Sequence, residues 1–167
     1  VVLRNAIDPI PEHKKEKSDT FNLIYHTTPH RGLEVLVPVI DFLANKGKKI
    51  HLDVYSSFKM YGWENRDEPY QKVFDKIKAH DNMTYHGYQP NDVIRKALEK
   101  AHMFAYPNIW PETSCIAMIE AMSAGCTVIH PNYCALSETG SNFGVQYGWE
   151  EDPNKHANKF CQILDAV

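Results

Sequence analysis

Several absences narrow what this chain can be. No apolar run approaches the ~18 residues of a membrane-spanning helix, so no membrane span is expected. No basic excess exists either: 18 Lys and Arg against 21 Asp and Glu leave a net charge of -3. That is too little positive charge to neutralise a polyphosphate backbone, which argues against a nucleic-acid partner and leaves a small anionic ligand open. The four cysteines (Cys115, Cys126, Cys134, Cys161) make no CxxC pair and have no histidine at zinc-ligand spacing. Reduced thiols in a reducing, cytoplasmic setting are the simplest reading. Neither G-x-G-x-x-G nor G-x-x-x-x-G-K-[ST] occurs, which removes the two commonest phosphate-binding signatures. Initiator Met, signal-peptide pattern, internal repeat and low-complexity segment are likewise missing.

What is present is a globular composition, 43% hydrophobic and 23% charged over 167 residues. A chain of that size buries roughly 70% of its unfolded surface, enough for a core without metal or disulfide staples. The strand-like opening Val1-Val2-Leu3-Arg4 reads as part of something larger. The charged stretch from Glu12 to Asp19, after Pro9 and Pro11, has no apolar periodicity and reads as a solvated connector. Residues 1–20 are therefore assigned to a connector and 21–167 to the folded domain.

From Phe21 onward, strand and helix patterns alternate. Strands are expected at 21–25, 49–55, around Met83 and Tyr85, at 103–106, 127–129 and 145–147. Helical periodicity covers 33–44, where Pro38 should introduce a kink, a segment opening near Pro69, one that Asn91 would cap, 114–124 closed by Gly125, and one that Asp152 caps before Pro153. Strands joined by a dozen or more residues must pair in parallel through right-handed crossovers. The expectation is an α/β, Rossmann-like open parallel sheet of about six strands with helices on both faces.

In such a sheet, ligands collect at the C-terminal ends of the strands. Two helix-entry loops there carry unusual chemistry. The first, from Tyr25 to Gly32, supplies Thr27, Thr28, His26, His30 and Arg31 at a helix N-terminus, where exposed N–H groups favour an anion. A capped, solvated turn would also explain it. The second, from Pro107 to Ile116, leads into an otherwise apolar helix carrying Glu120, with Glu112 about two turns earlier. A carboxylate in an apolar helix is costly unless satisfied. Ligand hydroxyls would do so, as would a salt bridge at a surface edge; Glu112 could equally serve the helix dipole. The N–H groups of Ser114, Cys115 and Ile116 could take a phosphate. Cys115, at a helix N-terminus, should have a lowered thiol pKa. His26 and His30 are the only close histidine pair in the expected cleft and have no evident third ligand, so no metal is assigned.

Glu112-x7-Glu120 followed by Ala121-Met122-Ser123-Ala124-Gly125, with Arg31-Gly32-Leu33 upstream and Tyr85-His86-Gly87 between, resembles the C-terminal nucleotide-sugar-binding domain of GT-B fold retaining glycosyltransferases of family 4 type. Order and spacing agree over about residues 20 to 140, and Leu3-Arg4-Asn5-Ala6-Ile7-Asp8 resembles the segment that enters this domain from the acceptor domain. The resemblance implies one half of a GT-B fold, missing its N-terminal acceptor-binding domain and inactive alone. It implies that Glu120 binds the donor ribose and that Glu112 acts near the reacting carbon. Arg31 stands where the family has a lysine that neutralises the diphosphate, with Thr28, His26, Ser114, Cys115 and Ile116 around it. His26 replaces a second basic residue, and Cys115 a common glycine. Thr113 would meet the donor sugar and Tyr88 the base.

The activity implied is hexosyl transfer from a nucleoside-diphosphate sugar, UDP or GDP most naturally, without a required metal or cofactor. Membrane association, if any, would belong to the missing part. A same-fold nucleotide-sugar epimerase and a non-catalytic binding or scaffold module remain alternatives, the latter because His26 stands in for a basic residue. Carboxylates two helical turns apart do not suit the ~5 Å spacing of most retaining glycosidases. Tyr61-Gly62-Trp63 is either a loop of this transferase type or an aromatic contact to the missing domain.

Overall fold

The apolar runs form strands because they are buried between layers of helix. In the computed structural model, which describes residues 4–11 and 13–167, six strands pair in parallel: β1 (Phe21–Tyr25), β2 (Ile50–Val54), β3 (Met83–Tyr85), β4 (Met103–Ala105), β5 (Thr127–Pro131) and β6 (Val145–Tyr147). The strand-like opening at Val1–Leu3, and Glu12 of the connector, lie outside the described residues. Central β4 is buried throughout, which accounts for its unbroken apolar sequence, whereas β2 alternates buried Ile50, Leu52 and Val54 with half-buried His51 and Asp53. The order is β3-β2-β1-β4-β5-β6. Chain direction across the sheet reverses between β1 and β4, which pair at Leu23 with Met103 and Ile24 with Phe104. This switch point opens a crevice above the strand ends, where ligands of doubly wound sheets bind.

The helices are α1 (Leu33–Asn45), α2 (Gln71–Lys78), α3 (Asn91–Lys100), α4 (Ile116–Ser123), α5 (Leu136–Gly140) and α6 (Pro153–Ala166). α1 packs against α2 and α6, and α3 against α4; right-handed crossovers put these groups on opposite faces. α1 runs on through Pro38, which faces solvent, so water can take the carbonyl that has lost its donor. Asp152 caps α6 by accepting from the N–H groups of Asn154 and Lys155, both at 2.9 Å. Gly125 adopts φ +75° and closes α4 as its position demands.

Four expectations change. Pro69 lies in a 3-10 segment, Glu64–Tyr70, ahead of α2. The N-cap of α3 is Pro90, and the Asn91 side chain reaches across to α4 instead. α4 starts at Ile116 because Cys115 is extended, with φ -113° and ψ 93°. The connector, read as solvated, is anchored: Ile10 is buried and its N–H donates to Ser123 Oγ at 2.9 Å, while Lys15 Nζ donates to the Leu98 carbonyl at 2.6 Å. Those carbonyls at the end of α3 accept a cation favourably. Among the described residues no helix is long and apolar enough to cross a membrane.

Candidate functional site

The two helix-entry loops meet over the switch point. After β1 the chain makes a 3-10 turn, Pro29–Arg31, and reaches Gly32 at φ +121°. A Cβ there would lie 2.2 Å from the Pro107 carbonyl oxygen, so only glycine lets the first loop press against the second.

That approach pairs the side chains. Arg31 donates from one guanidinium nitrogen to Glu112 Oε1, and from Nε to Thr28 Oγ1 at 3.1 Å. Tyr106 adds its hydroxyl to Glu112 Oε1 at 2.5 Å. Burial is the largest single influence and opposes the Arg31 charge, but the hydrogen bond and charge of Glu112, together with Tyr106, outweigh it and hold the guanidinium above its ordinary range. Desolvation, with carboxylate and thiol neighbours, pushes the Tyr106 hydroxyl far up, so it remains a donor to Glu112. Glu112 and Arg31, separate ligand contacts on the sequence reading, are thus partners. Arg31 keeps further N–H groups toward the cleft it lines. Thr28 is fully buried and supports Arg31 from behind.

Glu120 is held differently. Only 6% exposed, it accepts from Asn91 Nδ2 at 2.9 Å on Oε1, with Arg95 at 3.8 Å from the same oxygen. Its Oε2 is turned to His26 Nε2 at 3.9 Å, too far for a direct hydrogen bond. His26 packs on Phe104 with ring centroids 4.8 Å apart, and neither ring nitrogen has a hydrogen-bond partner among the described residues. Burial lowers its pKa to about 4, so the imidazole is neutral near pH 7.

The resulting cleft holds about 410 Å³ and is lined by His26, Arg31, Tyr61, Tyr88, Ser114 and Glu120, with Cys115 and Ile116 at the entry of α4. Thr113 is not in it; with Ser114 it lines a neighbouring cleft beside Arg4 and Glu138. The Cys115 expectation is corrected: burial, then the Glu112 charge, pushes the thiol up to about 12, more than the α4 terminus can offset. His30 stacks on Phe58 at 5.1 Å and meets the Trp110 edge at 4.5 Å. Among the described residues no group of three His, Cys, Asp or Glu could hold a metal ion. Asn91 was missed as a site residue because its partner Glu120 is remote in sequence, and Tyr106, only six residues before Glu112, because the chain must turn back after β4 before its hydroxyl meets that carboxylate. Tyr61, which the sequence offers either as part of a loop of this transferase type or as a contact to the missing domain, lines the cleft.

A parallel sheet with this strand order, and polar groups gathered at its switch point, defines a doubly wound, Rossmann-like α/β domain. The family model described as glycosyl transferases group 1 matches residues 7–164, and the chain belongs to that family. Comparison with curated proteins finds no significant match. Among solved structures it is similar in fold to TarM (TM-score 0.63, 20% identity, 94% of this chain and 30% of that one). It is similar also to the pneumococcal O-GlcNAc transferase GtfA in complex with UDP and GlcNAc (0.65, 14%, 96% and 32%). A third is HepE from Anabaena in complex with UDP-glucose (0.62, 15%, 89% and 40%). The chain therefore spans well under half of each of these proteins and corresponds to one α/β half of a GT-B fold.

Proposed function

We propose that this chain is the donor-binding half of a retaining glycosyltransferase, completed by an acceptor-binding domain. The observation that carries the reading is Glu120: a buried carboxylate at the switch-point cleft, one oxygen held by Asn91 and the other turned to the cavity side of His26. A buried carboxylate oxygen there calls for hydroxyl donors, which a ribose supplies. Two structures of similar fold are complexes with UDP or UDP-glucose, which supports a nucleoside-diphosphate sugar as donor.

In this reading Tyr88, exposed at the rim, packs against the base, and the Arg31 guanidinium with the N–H groups at the start of α4 meets the diphosphate. That preorganised charge stabilises the leaving group without a metal. Glu112 acts near the reacting carbon, and its pairing with Arg31 links the sugar and diphosphate sides of the site. Transfer with retention needs the acceptor delivered from the second domain, so the chain alone is inactive.

Calorimetry with UDP, GDP and ADP tests this. At least one should bind, and Glu120→Ala should abolish binding; failure of all three to bind the folded wild-type chain overturns the reading. The neutral His26 and the occupied Glu112 favour a second reading, a binding module without transfer. Nucleotide binding combined with no transfer by the complete protein over a broad acceptor panel would support it.

A further inference from the structure

Among the described residues lining the cleft, His26 is the buried side chain with no well-formed hydrogen bond on either polar atom, the Ala117 backbone being its nearest polar neighbour apart from Glu120. Its side chain is 2% exposed, its ring is braced against Phe104, and it lines the cavity. A neutral imidazole carries one N–H donor and one acceptor. Across from Nε2 stands Glu120 Oε2, at 3.9 Å; the other oxygen of Glu120 already accepts from Asn91. Two polar atoms at that separation cannot bond each other well, but one oxygen can sit about 2.8 Å from both. That oxygen must accept from an imidazole N–H and donate to a carboxylate, which is what a hydroxyl does and a phosphate oxygen does not. A fully ionised diphosphate brought to the same place would meet the Glu120 charge.

Resting on the reading of Glu120 as the donor-ribose carboxylate, we infer that His26 and Glu120 share one ribose hydroxyl, so that His26 is a ribose-recognition residue and not a diphosphate contact. The hydroxyl accepts from His26 Nε2–H and donates to Glu120 Oε2. Selection for a ribonucleotide over its deoxy counterpart then depends on His26.

The test is a calorimetric cycle on the chain: wild type and His26→Ala against the best-binding of UDP, GDP and ADP, its 2′-deoxy and 3′-deoxy forms, and inorganic pyrophosphate. His26→Ala should weaken the ribonucleotide about tenfold, weaken one deoxy form hardly at all, and leave pyrophosphate unchanged. Equal loss for the ribonucleotide and both deoxy forms, no loss for any, or a matching loss for pyrophosphate overturns the inference while the donor-binding reading stands. Wild type that binds no nucleotide overturns both. An arm that needs no variant is NMR of the 15N-labelled wild type. The His26 imidazole signals should shift with the ribonucleotide and with only one deoxy form, and stay in place with pyrophosphate; shifts with pyrophosphate overturn the inference.

Discussion

Asn91 Nδ2 donates to Glu120 Oε1 at 2.9 Å, so the first turn of α3 fixes the carboxylate that α4 carries. Asn91→Ala frees that oxygen and lets the Glu120 side chain wander. A hydrogen bond to a charged group is worth roughly 1.5–3 kcal/mol, so nucleotide affinity should fall about tenfold or more. Asn91→Asp, placing like charges together, should do worse. Calorimetry checks both, and equal binding by Asn91→Ala would deny Asn91 a positioning role.

The Arg31–Glu112 pair gives the clearest stability prediction. With side-chain exposures of 18% and 4%, it is largely out of water. Arg31→Ala should cost about 3–5 kcal/mol, because Glu112 is left buried without its cation. Arg31→Met combined with Glu112→Gln should recover much of that, since Tyr106 can still donate to the amide oxygen. Urea midpoints at unchanged m-value measure the difference.

Gly32→Ala should destabilise by at least about 2 kcal/mol, since the new methyl meets the Pro107 carbonyl oxygen and the backbone sits at φ +121°. The two loops would separate, so loss of nucleotide binding should accompany the loss of stability. Gly47→Ala, also at positive φ but with nothing within 4 Å of the added Cβ, is the control that pays only the backbone strain.

Buried histidines set the acid limb of stability. Burial lowers His26 from 6.5 to about 4 and, with the Arg31 charge, lowers His30 to about 4; His130 and His156 are lowered by burial as well. Between those values the unfolded chain binds more protons than the folded one, so stability is complete above pH 6.5 and falls as pH drops toward 4. His26 alone should account for about 2 kcal/mol between pH 7 and 5. Denaturant unfolding across that range should show the fall, and His26→Gln should reduce it by about 2 kcal/mol, leaving the part due to His30, His130 and His156.

The α/β order was readable because it rests on local periodicity. Every strand fell where an apolar run or an apolar–polar alternation occurs, and Gly125 and Asp152 signalled helix ends through their own backbone and capping chemistry. Helix starts were less legible. Asn91 looked like a cap because nothing local shows that Pro90 already occupies the position and that Glu120 lies across the groove. Cys115 looked reactive because a helix N-terminus lowers a thiol pKa, and burial, which reverses that, is invisible along the chain.

The amino-acid order alone determined a parallel sheet with its chemistry on two loops, since spacing dictates which residues end a strand or enter a helix. It also brought Glu112 and Glu120 onto one α4 approach. Only the tertiary structure decided what those residues face. Arg31 and Glu112 meet across 81 residues because β1 and β4 are neighbours at the switch point and Gly32 lets their loops touch. His26 and Glu120 face each other at 3.9 Å for the same reason. Strand order and burial are properties of the packed sheet, where distance in sequence has no bearing on contact.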